Sequence, residues 1–334
     1  NRHRAACIDP ADAYVFALPE RGDPADHSHL NRWEPWVRSY LCAQELTEEL
    51  RFKTTRVQAG NVQTLRVTMS TSLSEGSRNR FDLVTLVRPS LPVFQEQLEL
   101  VLNWADLREE RMPEVLAQIG NTLAFWGTLI PLHTDRMRRT RELIEAAVQF
   151  AMVVEMRFKH ELACWRPIDL SAQIQPMIAT PGHGSLPSGH CTEAYTVNVV
   201  LQSLLGMDKK PGASQPLRRQ FDRTAERIAT NRVVAGVHFP IDNVAGRLLG
   251  SVLGRYFSVC CGHKIGLMKG TFDVRRFPGA GQMEFLPDAK EQLLDKSGFA
   301  HWKPLRRTLR KRTSVLTELW GAAQTELKNL GQLF

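Results

Sequence analysis

Residues 140–159 have the sequence TRELIEAAVQFAMVVEMRFK, and this segment decides the predicted fold. Apolar side chains recur at helical spacing and cover nearly the whole circumference of the helix. Such a helix needs other elements around it, so we expect it at the centre of the molecule. Glu145 and Gln149 interrupt its apolar run, and no uncharged apolar stretch long enough to cross a membrane occurs elsewhere, so no transmembrane segment is expected.

Further helical patterns flank this segment on both sides. They cover residues 98–107, 115–129, 195–207, 216–235 and 243–261. Apolar patches between residues 36 and 90 fit either a helix or a strand, and no regular alternation of strands with helices indicates a doubly wound sheet. We therefore predict an all-α fold, with an irregular N-terminal arm over residues 1–35 and a single helical domain over residues 36–334.

The last of these helices carries a stripe of glycines. Gly246, Gly250 and Gly254 recur every four residues and therefore lie on one face of the helix. Because glycine lowers helix propensity, close packing against a neighbouring helix is the expected compensation.

The composition is that of a globular protein with a basic surface. Of the 334 residues, 43% are hydrophobic and 23% charged, which excludes a disordered or collagen-like chain. The net charge of +8 favours anionic ligands. The most basic run, residues 303–312, is expected to be a solvated helix face or terminal segment. No nucleic-acid partner is predicted, since no zinc-finger, RNA-binding or helix-turn-helix signature accompanies the run.

The six cysteines contain no CxxC pair, which argues against a zinc ribbon or a redox motif and fits a reducing compartment. We expect a cytoplasmic location. The chain begins at Asn1, so export after removal of a signal segment stays open.

Two cations are predicted on buried helix faces. Lys159 ends a stripe formed by Val148, Met152 and Met156. Arg232 ends a stripe formed by Leu217, Phe221, Ala225 and Ile228. Buried cations need partners, although a side chain that snorkels to solvent is the alternative for each alone. Arg166 is expected on a turn near Lys159, because Pro167 disfavours helical conformation at the preceding residue.

Residues 180–190, TPGHGSLPSGH, form a Gly/Pro-rich loop that runs into a helical pattern. Ser188 and Gly189 would lie at the N-terminus of that helix, where free N–H groups and the dipole favour an anion. His190 would lie beside the anion as a proton donor. By itself the segment also fits an ordinary capped loop.

Residues 231–242, NRVVAGVHFPID, place His238 after a helix stop at Gly236. Asp242 is close enough in sequence to bond one imidazole nitrogen and fix the tautomer of the other. His238 alone would fit a hydrogen-bonded loop histidine. Together, however, three cations, two neutral donors and two imidazoles suit a tetrahedral or trigonal-bipyramidal oxyanion.

These three segments resemble the signature shared by vanadium-dependent haloperoxidases and type-2 phosphatidic acid phosphatases, in order and in spacing. One departure is Asn231, where the phosphatases usually have Ser. The resemblance implies a helical fold built around two four-helix bundles, with the oxyanion held between helices.

For the haloperoxidases, the resemblance implies a vanadate cofactor. Phosphate can occupy the same site. The residues that would hold its oxygens are Lys159, Arg166, Ser188, Gly189 and Arg232. His238 would be the axial vanadium ligand and His190 the acid–base group, with hydrogen peroxide, a halide and a small organic acceptor as substrates. In the phosphatases His238 would be the nucleophile, oriented by Asp242, and His190 would protonate the leaving group.

His183 favours the haloperoxidase branch. It lies five residues before Ser188, where vanadium bromoperoxidases have His and chloroperoxidases tend to have Phe. Bromide oxidation is therefore the main prediction. A soluble phosphatase is the alternative, favoured by the short chain and by the HFPID sequence of residues 238–242. The sequence leaves open the organic acceptor or phosphoester, the oligomeric state, including a homo-oligomer, and the carboxylate partner of His190.

Overall fold

The computed structural model describes residues 30, 32–59, 62–72, 80–208, 215–276, 279–285, 300–305 and 315–331. The predicted N-terminal arm lies almost wholly outside these residues, and so do positions 306–312 of the basic run. The helices of the described part are α1 (Pro35–Thr47), α2 (Leu91–Trp104), α3 (Arg108–Ala117), α4 (Leu123–Trp126), α5 (Arg138–Leu162), α6 (Pro167–Leu170), α7 (Gly189–Leu204), α8 (Gln215–Val234), α9 (Pro240–Cys260) and α10 (Val315–Asn329). The strands are β1 (Arg51–Ala59), β2 (Val62–Ser72), β3 (Arg80–Val87), β4 (Met268–Phe272) and β5 (Ala300–Pro304).

The five strands form one mixed sheet, so the prediction of an all-α fold is wrong. The strand order is β1-β2-β3-β4-β5, with β3 and β4 parallel and the other neighbours antiparallel. In β2, Leu65, Val67 and Met69 alternate with polar residues, which is the period of a strand with one buried face. β4 and β5 alternate in a similar way, but over only five residues each. The sheet contacts α5 and α9, so the architecture is not a pair of helical bundles alone.

The helix predicted from residues 140–159 is α5, and it is central as expected. It packs against α1, α7, α9, α10 and β2. The predicted stripe was wrong, however, because Met152 and Met156 are 43% and 40% exposed, whereas Lys159 is 1% exposed. The buried stripe runs instead through Leu143, Phe150, Val154 and Phe158, which also recur at helical spacing, and Lys159 lies at its edge. The stripe predicted on α8 is confirmed from Phe221 to Arg232.

The glycines of α9 allow close approach of α7, as predicted. A Cβ added at Gly246 would lie 2.8 Å from the carbonyl oxygen of Ser188, and one added at Gly254 would lie 2.6 Å from Cβ of Val199. At the same end of the pair, the N–H of Ser188 donates to the carbonyl oxygen of Asp242 at 3.0 Å. The α7–α9 contact thus fixes the N-terminus of α7 against the first turn of α9.

Candidate active site

His238 and Asp242 lie side by side at the start of α9. α8 ends at Val234, and Gly236 turns the chain with a left-handed φ of 76°. Nδ1 of His238 lies 3.1 Å from Oδ2 of Asp242, and the same oxygen accepts the N–H of Phe239 at 2.9 Å. The structure therefore brings together the two residues that the sequence pairs.

The hydrogen bonds of His238 fix its tautomer. Nη1 of Arg166 lies 3.0 Å from Nε2 of His238. A guanidinium can only donate, so Nε2 is the acceptor and Nδ1 carries the proton. Burial, followed by the charges of Arg166 and Lys159, lowers the pKa of His238 well below its usual value, and burial raises the pKa of Asp242 to about 7. His238 is a neutral imidazole whose Nε2 lone pair faces a cation.

Arg166 connects the loop before α7 to His238. α5 ends at Leu162 and is capped by Ala163, whose φ of 45° is left-handed, and Arg166 follows on the turn as predicted. Its Nη1 also donates to the carbonyl oxygen of Val237 at 2.7 Å, and its Nε donates to that of His183 at 3.1 Å. Its Nη2 donates to Nδ1 of His183 at 3.1 Å. His183 is exposed and touches the guanidinium from the solvent side.

Lys159 does not snorkel to solvent. Its Nζ donates to the carbonyl oxygens of Gly184 and Ser185 at 3.3 and 3.2 Å. Burial lowers the pKa of Lys159 to about 8, against the opposing charge of Glu155. The side chain therefore points into the loop that precedes α7, close to the positions the sequence assigns to an oxyanion.

Arg232 is the third buried cation, at 1% exposure. Its Nη2 donates to the carbonyl oxygen of Val115 at 3.1 Å and to Oε1 of Gln118 at 3.0 Å. Its Nε and Nη1 have no partner among the described residues. Burial lowers the pKa of Arg232 to about 10, so the group stays cationic at neutral pH.

Several buried donors at this site lack a partner in the described part of the chain. They are Ser188 Oγ, Gln118 Nε2, Arg232 Nε and Arg232 Nη1. A buried donor left unpaired costs about 1–3 kcal/mol, which indicates a ligand with several acceptor oxygens. At Gly189, the first residue of α7, an added Cβ would lie 2.6 Å from Oε1 of Glu155, so the space beside this helix end admits no side chain. The donor set fits a phosphate or a vanadate ion.

His190 lies in the first turn of α7. Its Nε2 is 2.7 Å from the carbonyl oxygen of Gln118. A carbonyl can only accept, so Nε2 carries the proton and Nδ1 is the nitrogen that can gain or lose one. Burial, followed by the charge of Arg232, lowers the pKa of His190 to about 4. The partner of His190 is therefore a main-chain carbonyl, where the sequence had left a carboxylate unassigned.

Part of the chain matches a known protein family. Residues 143–264 match the PAP2 superfamily. This PAP2 segment contains every site residue named from the sequence. A crystal structure described as the first transmembrane PAP2 type phosphatidylglycerolphosphate phosphatase from Bacillus subtilis is 17% identical, with a TM-score of 0.38 over 49% of this chain and 84% of that one. Comparison with curated proteins gives no match. The superfamily match does not specify the haloperoxidase branch.

Gln118 lies outside the PAP2 segment, just after α3, and sequence reasoning missed it. Its side chain is fixed by Asn231, whose Nδ2 donates to Oε1 of Gln118 at 3.1 Å and to Oε2 of Glu114 at 3.0 Å. Oδ1 of Asn231 accepts from Nη1 of Arg111 at 3.1 Å. The departure at Asn231 thus connects the PAP2 segment to α3. No motif marks Gln118, which falls within the single helix predicted over residues 115–129, whereas α3 ends at Ala117.

Two acidic side chains partly balance the buried cations of the PAP2 segment. Glu155, one turn before Lys159, is 4% exposed, and burial raises its pKa well above the usual value. Burial raises the pKa of Glu193 to about 7, while Lys159 and Arg232 oppose the rise. With a pKa of about 7, Glu193 is partly protonated near neutral pH.

A cavity of about 310 Å³ opens beside Arg166. Its lining includes Cys164, Asp169, Thr180 and His183. Arg166 lines this cavity, whereas the other oxyanion donors, Lys159, Ser188 and Arg232, do not, and neither does His238. No group of three potential metal ligands forms a metal site among the described residues. Within the same residues, no helix has the length and apolar character needed to span a membrane.

Proposed function

We propose that this protein hydrolyses small phosphomonoesters through a covalent intermediate on His238. One observation carries the proposal: the Nε2 lone pair of His238, oriented by Asp242, faces a buried set of donors that includes Arg166. A phosphoryl group would present its oxygens to the donors and its phosphorus to the lone pair. The sequence favoured the haloperoxidase branch. The PAP2 match supports the phosphatase alternative, and the chain's own side chains suffice for that chemistry.

In the first step, Nε2 of His238 forms a bond to phosphorus and the ester P–O bond breaks. The leaving oxygen keeps the bonding electron pair and takes the proton of Nδ1 from the imidazolium form of His190. Nη1 of Arg166 turns from Nε2 to a phosphoryl oxygen, while Lys159 and Arg232 bind the others. Asp242 accepts the Nδ1–H bond of His238 and stabilises the positive charge that develops on its ring.

In the second step, a water molecule attacks phosphorus and transfers a proton to Nδ1 of His190. The P–N bond breaks, its electron pair returns to Nε2 of His238, and phosphate leaves. His190 ends the cycle as the imidazolium that the next first step requires. A bound phosphoryl dianion supplies the negative charge that raises the pKa of His190 from about 4.

In this proposal the substrate's leaving group lies in the cavity beside Arg166. Its volume of about 310 Å³ lies at the lower end of the range for ligand sites. A small phosphomonoester with a short or aryl leaving group therefore fits best.

A second candidate is halide oxidation with vanadate as cofactor. The contact between Nδ1 of His183 and Nη2 of Arg166 favours it, because it places a third imidazole beside the oxyanion donors. Lys159, Arg166, Ser188, Gly189 and Arg232 would hold the vanadate oxygens, and Nε2 of His238 would bind vanadium. The bound vanadate would supply the activation of hydrogen peroxide.

The decisive experiment uses one preparation of the protein for both reactions. Hydrolysis of p-nitrophenyl phosphate is measured for wild type, for His238→Ala and for the control His160→Ala, whose side chain is exposed on α5. We expect His238→Ala to lower kcat by at least about 10³-fold and His160→Ala to leave it unchanged. A ³²P label that is stable in base and labile in acid should be trapped on wild type and be absent from His238→Ala. Bromide oxidation by the vanadate-loaded protein without ester hydrolysis would replace the phosphatase with the haloperoxidase.

A further inference from the structure

A second cavity, of about 480 Å³, lies near the same turn of the chain. Trp165 lines it, whereas its chain neighbours Cys164 and Arg166 line the cavity of the candidate active site. The two cavities share no lining residue. Its volume falls within the range of small-molecule sites. This arginine–tryptophan cavity therefore has the size of a ligand site and is separate from the oxyanion site.

Two arginines lie in one row across the sheet in this cavity. Arg56 of β1 is directly opposite Leu65 of β2, and the carbonyl oxygen of Leu65 accepts the N–H of Arg88, just after β3, at 2.9 Å. Residues opposite each other on neighbouring strands point to the same face of the sheet. Strand spacing places the Cα atoms of Arg56 and Arg88 about 10 Å apart. One anionic group can therefore reach both guanidinium groups above Leu65.

Both guanidinium groups are available to a ligand. The Arg88 guanidinium lies over the ring of Trp165, 4.4 Å from its centroid. Stacking uses the face of the guanidinium and leaves its in-plane N–H donors for a carboxylate or phosphate. Arg56 is exposed, and within the described part of the chain neither arginine pairs with a carboxylate.

The rest of the cavity lining is mainly apolar. Leu65, Pro89, Leu91 and Pro92 form most of it, beside the polar residues Gln63, Thr64 and Ser90. Leu91 is 38% exposed, so a large apolar side chain faces the opening without a partner. An apolar wall with two convergent cations is complementary to an anion that carries an apolar body.

We propose that the arginine–tryptophan cavity binds a small organic anion with a flat apolar body. Its carboxylate or phosphate group lies between Arg56 and Arg88, and its apolar part rests on Leu65, Leu91 and Pro92. The site is independent of the reaction at His238, so this proposal does not depend on the proposed function.

The test is calorimetric titration of the full chain with 2-naphthoate and with 2-naphthylphosphonate, in which the arginine variants separate binding at this cavity from binding at the oxyanion site. The variants are Arg56→Gln and Arg88→Gln. Lys53→Gln is the matched control, because it removes one exposed positive charge of β1 from the opposite face of the sheet. Equal melting temperatures of the variants establish that each is folded.

We expect each arginine variant to weaken binding of at least one probe by about tenfold or more, and Lys53→Gln to change it less than twofold. The tighter probe identifies the preferred anionic group. No binding to wild type, or an equal loss in Lys53→Gln, would overturn the proposal. Equal affinity for the neutral 2-naphthamide would also overturn it, because the arginines would then contribute nothing.

Discussion

The carbonyl oxygen of Gln118 accepts a 2.7 Å hydrogen bond from Nε2 of His190, across 72 positions of sequence. The same residue places its side-chain Oε1 3.0 Å from Nη2 of Arg232. One residue after α3 therefore fixes the tautomer of an imidazole through its backbone and orients a cation through its side chain. Its Nε2, buried and unpaired in the described structure, is left for the oxyanion.

Gln118→Leu should weaken oxyanion binding while leaving the backbone bond to His190 intact. The substitution removes a donor and leaves Nη2 of Arg232 without its side-chain acceptor, so we expect the Kd for orthovanadate to rise about 10- to 100-fold. Calorimetric titration measures the Kd, and Gln95→Ala, at an exposed position of α2, is the control. Unchanged vanadate affinity would remove Gln118 from the binding site.

Oxyanion binding should raise the pKa of His190. Burial and Arg232 hold this pKa at about 4 in the free protein, and a bound anion favours the imidazolium. Histidine NMR titration with and without saturating phosphate gives the two values, and His190→Asn assigns the signal. An unshifted His190 signal on saturation would contradict its role beside the oxyanion.

The same depressed pKa predicts the sign of a pH effect on stability. As pH falls from 6.5 towards 4, the unfolded chain binds a proton at His190 before the folded chain does. The contribution of His190 to the free energy of unfolding should therefore decrease over this window by at most about 3 kcal/mol, while the raised pKa values of Asp242 and Glu193 act in the opposite direction. Chemical denaturation at several pH values should show the His190 contribution as the difference between wild type and His190→Asn.

His183→Phe should separate the two candidate functions. In halide oxidation the imidazole of His183, which contacts Arg166, would affect proton transfer at the site. The substitution should then change the pH profile or the halide preference while vanadate stays bound. In phosphoester hydrolysis His183 contacts only the outer side of the guanidinium, so kcat should change less than about threefold. Parallel assays of bromide oxidation and p-nitrophenyl phosphate hydrolysis measure both. A large loss of hydrolysis would show that His183 also acts in the phosphatase.

Gly250→Ala should destabilise the fold, whereas Gly321→Ala should not. An added Cβ at Gly250 would clash with the carbonyl oxygen of Thr192 in the α7–α9 contact. Relieving this clash would require a shift of the backbone, which costs free energy. We expect a loss of about 1–3 kcal/mol. Gly321, in α10, has nothing within 4 Å of an added Cβ, so alanine should gain about 0.5–1 kcal/mol from helix propensity. Urea unfolding measures both, and equal stability of Gly250→Ala and wild type would mean that the two helices are not in tight contact.

Local sequence patterns were enough to predict the helices between residues 140 and 261 and the order of the polar residues between Lys159 and Asp242. Local rules suffice for these features: apolar spacing marks α5, α8 and α9, and proline and glycine mark their ends. The pairing of His238 with Asp242 was also predictable, because Asp242 is four positions after His238, across the start of a helix. These signals depend on residues within one or two helical turns of each other, so a single sequence is enough to recognise them.

The sheet, the burial of Lys159 and the part played by Gln118 depend on long-range contacts. β4 pairs with β3 in parallel from far along the chain, and an alternation over five residues does not specify a partner strand. Lys159 is buried because its Nζ donates to carbonyl oxygens of the loop before α7, a contact that no spacing within α5 specifies. Gln118 reaches His190 and Arg232 because α3 packs on α8. These residues are far apart in the sequence and meet only because the helices and strands pack together, so no local spacing predicts the contacts.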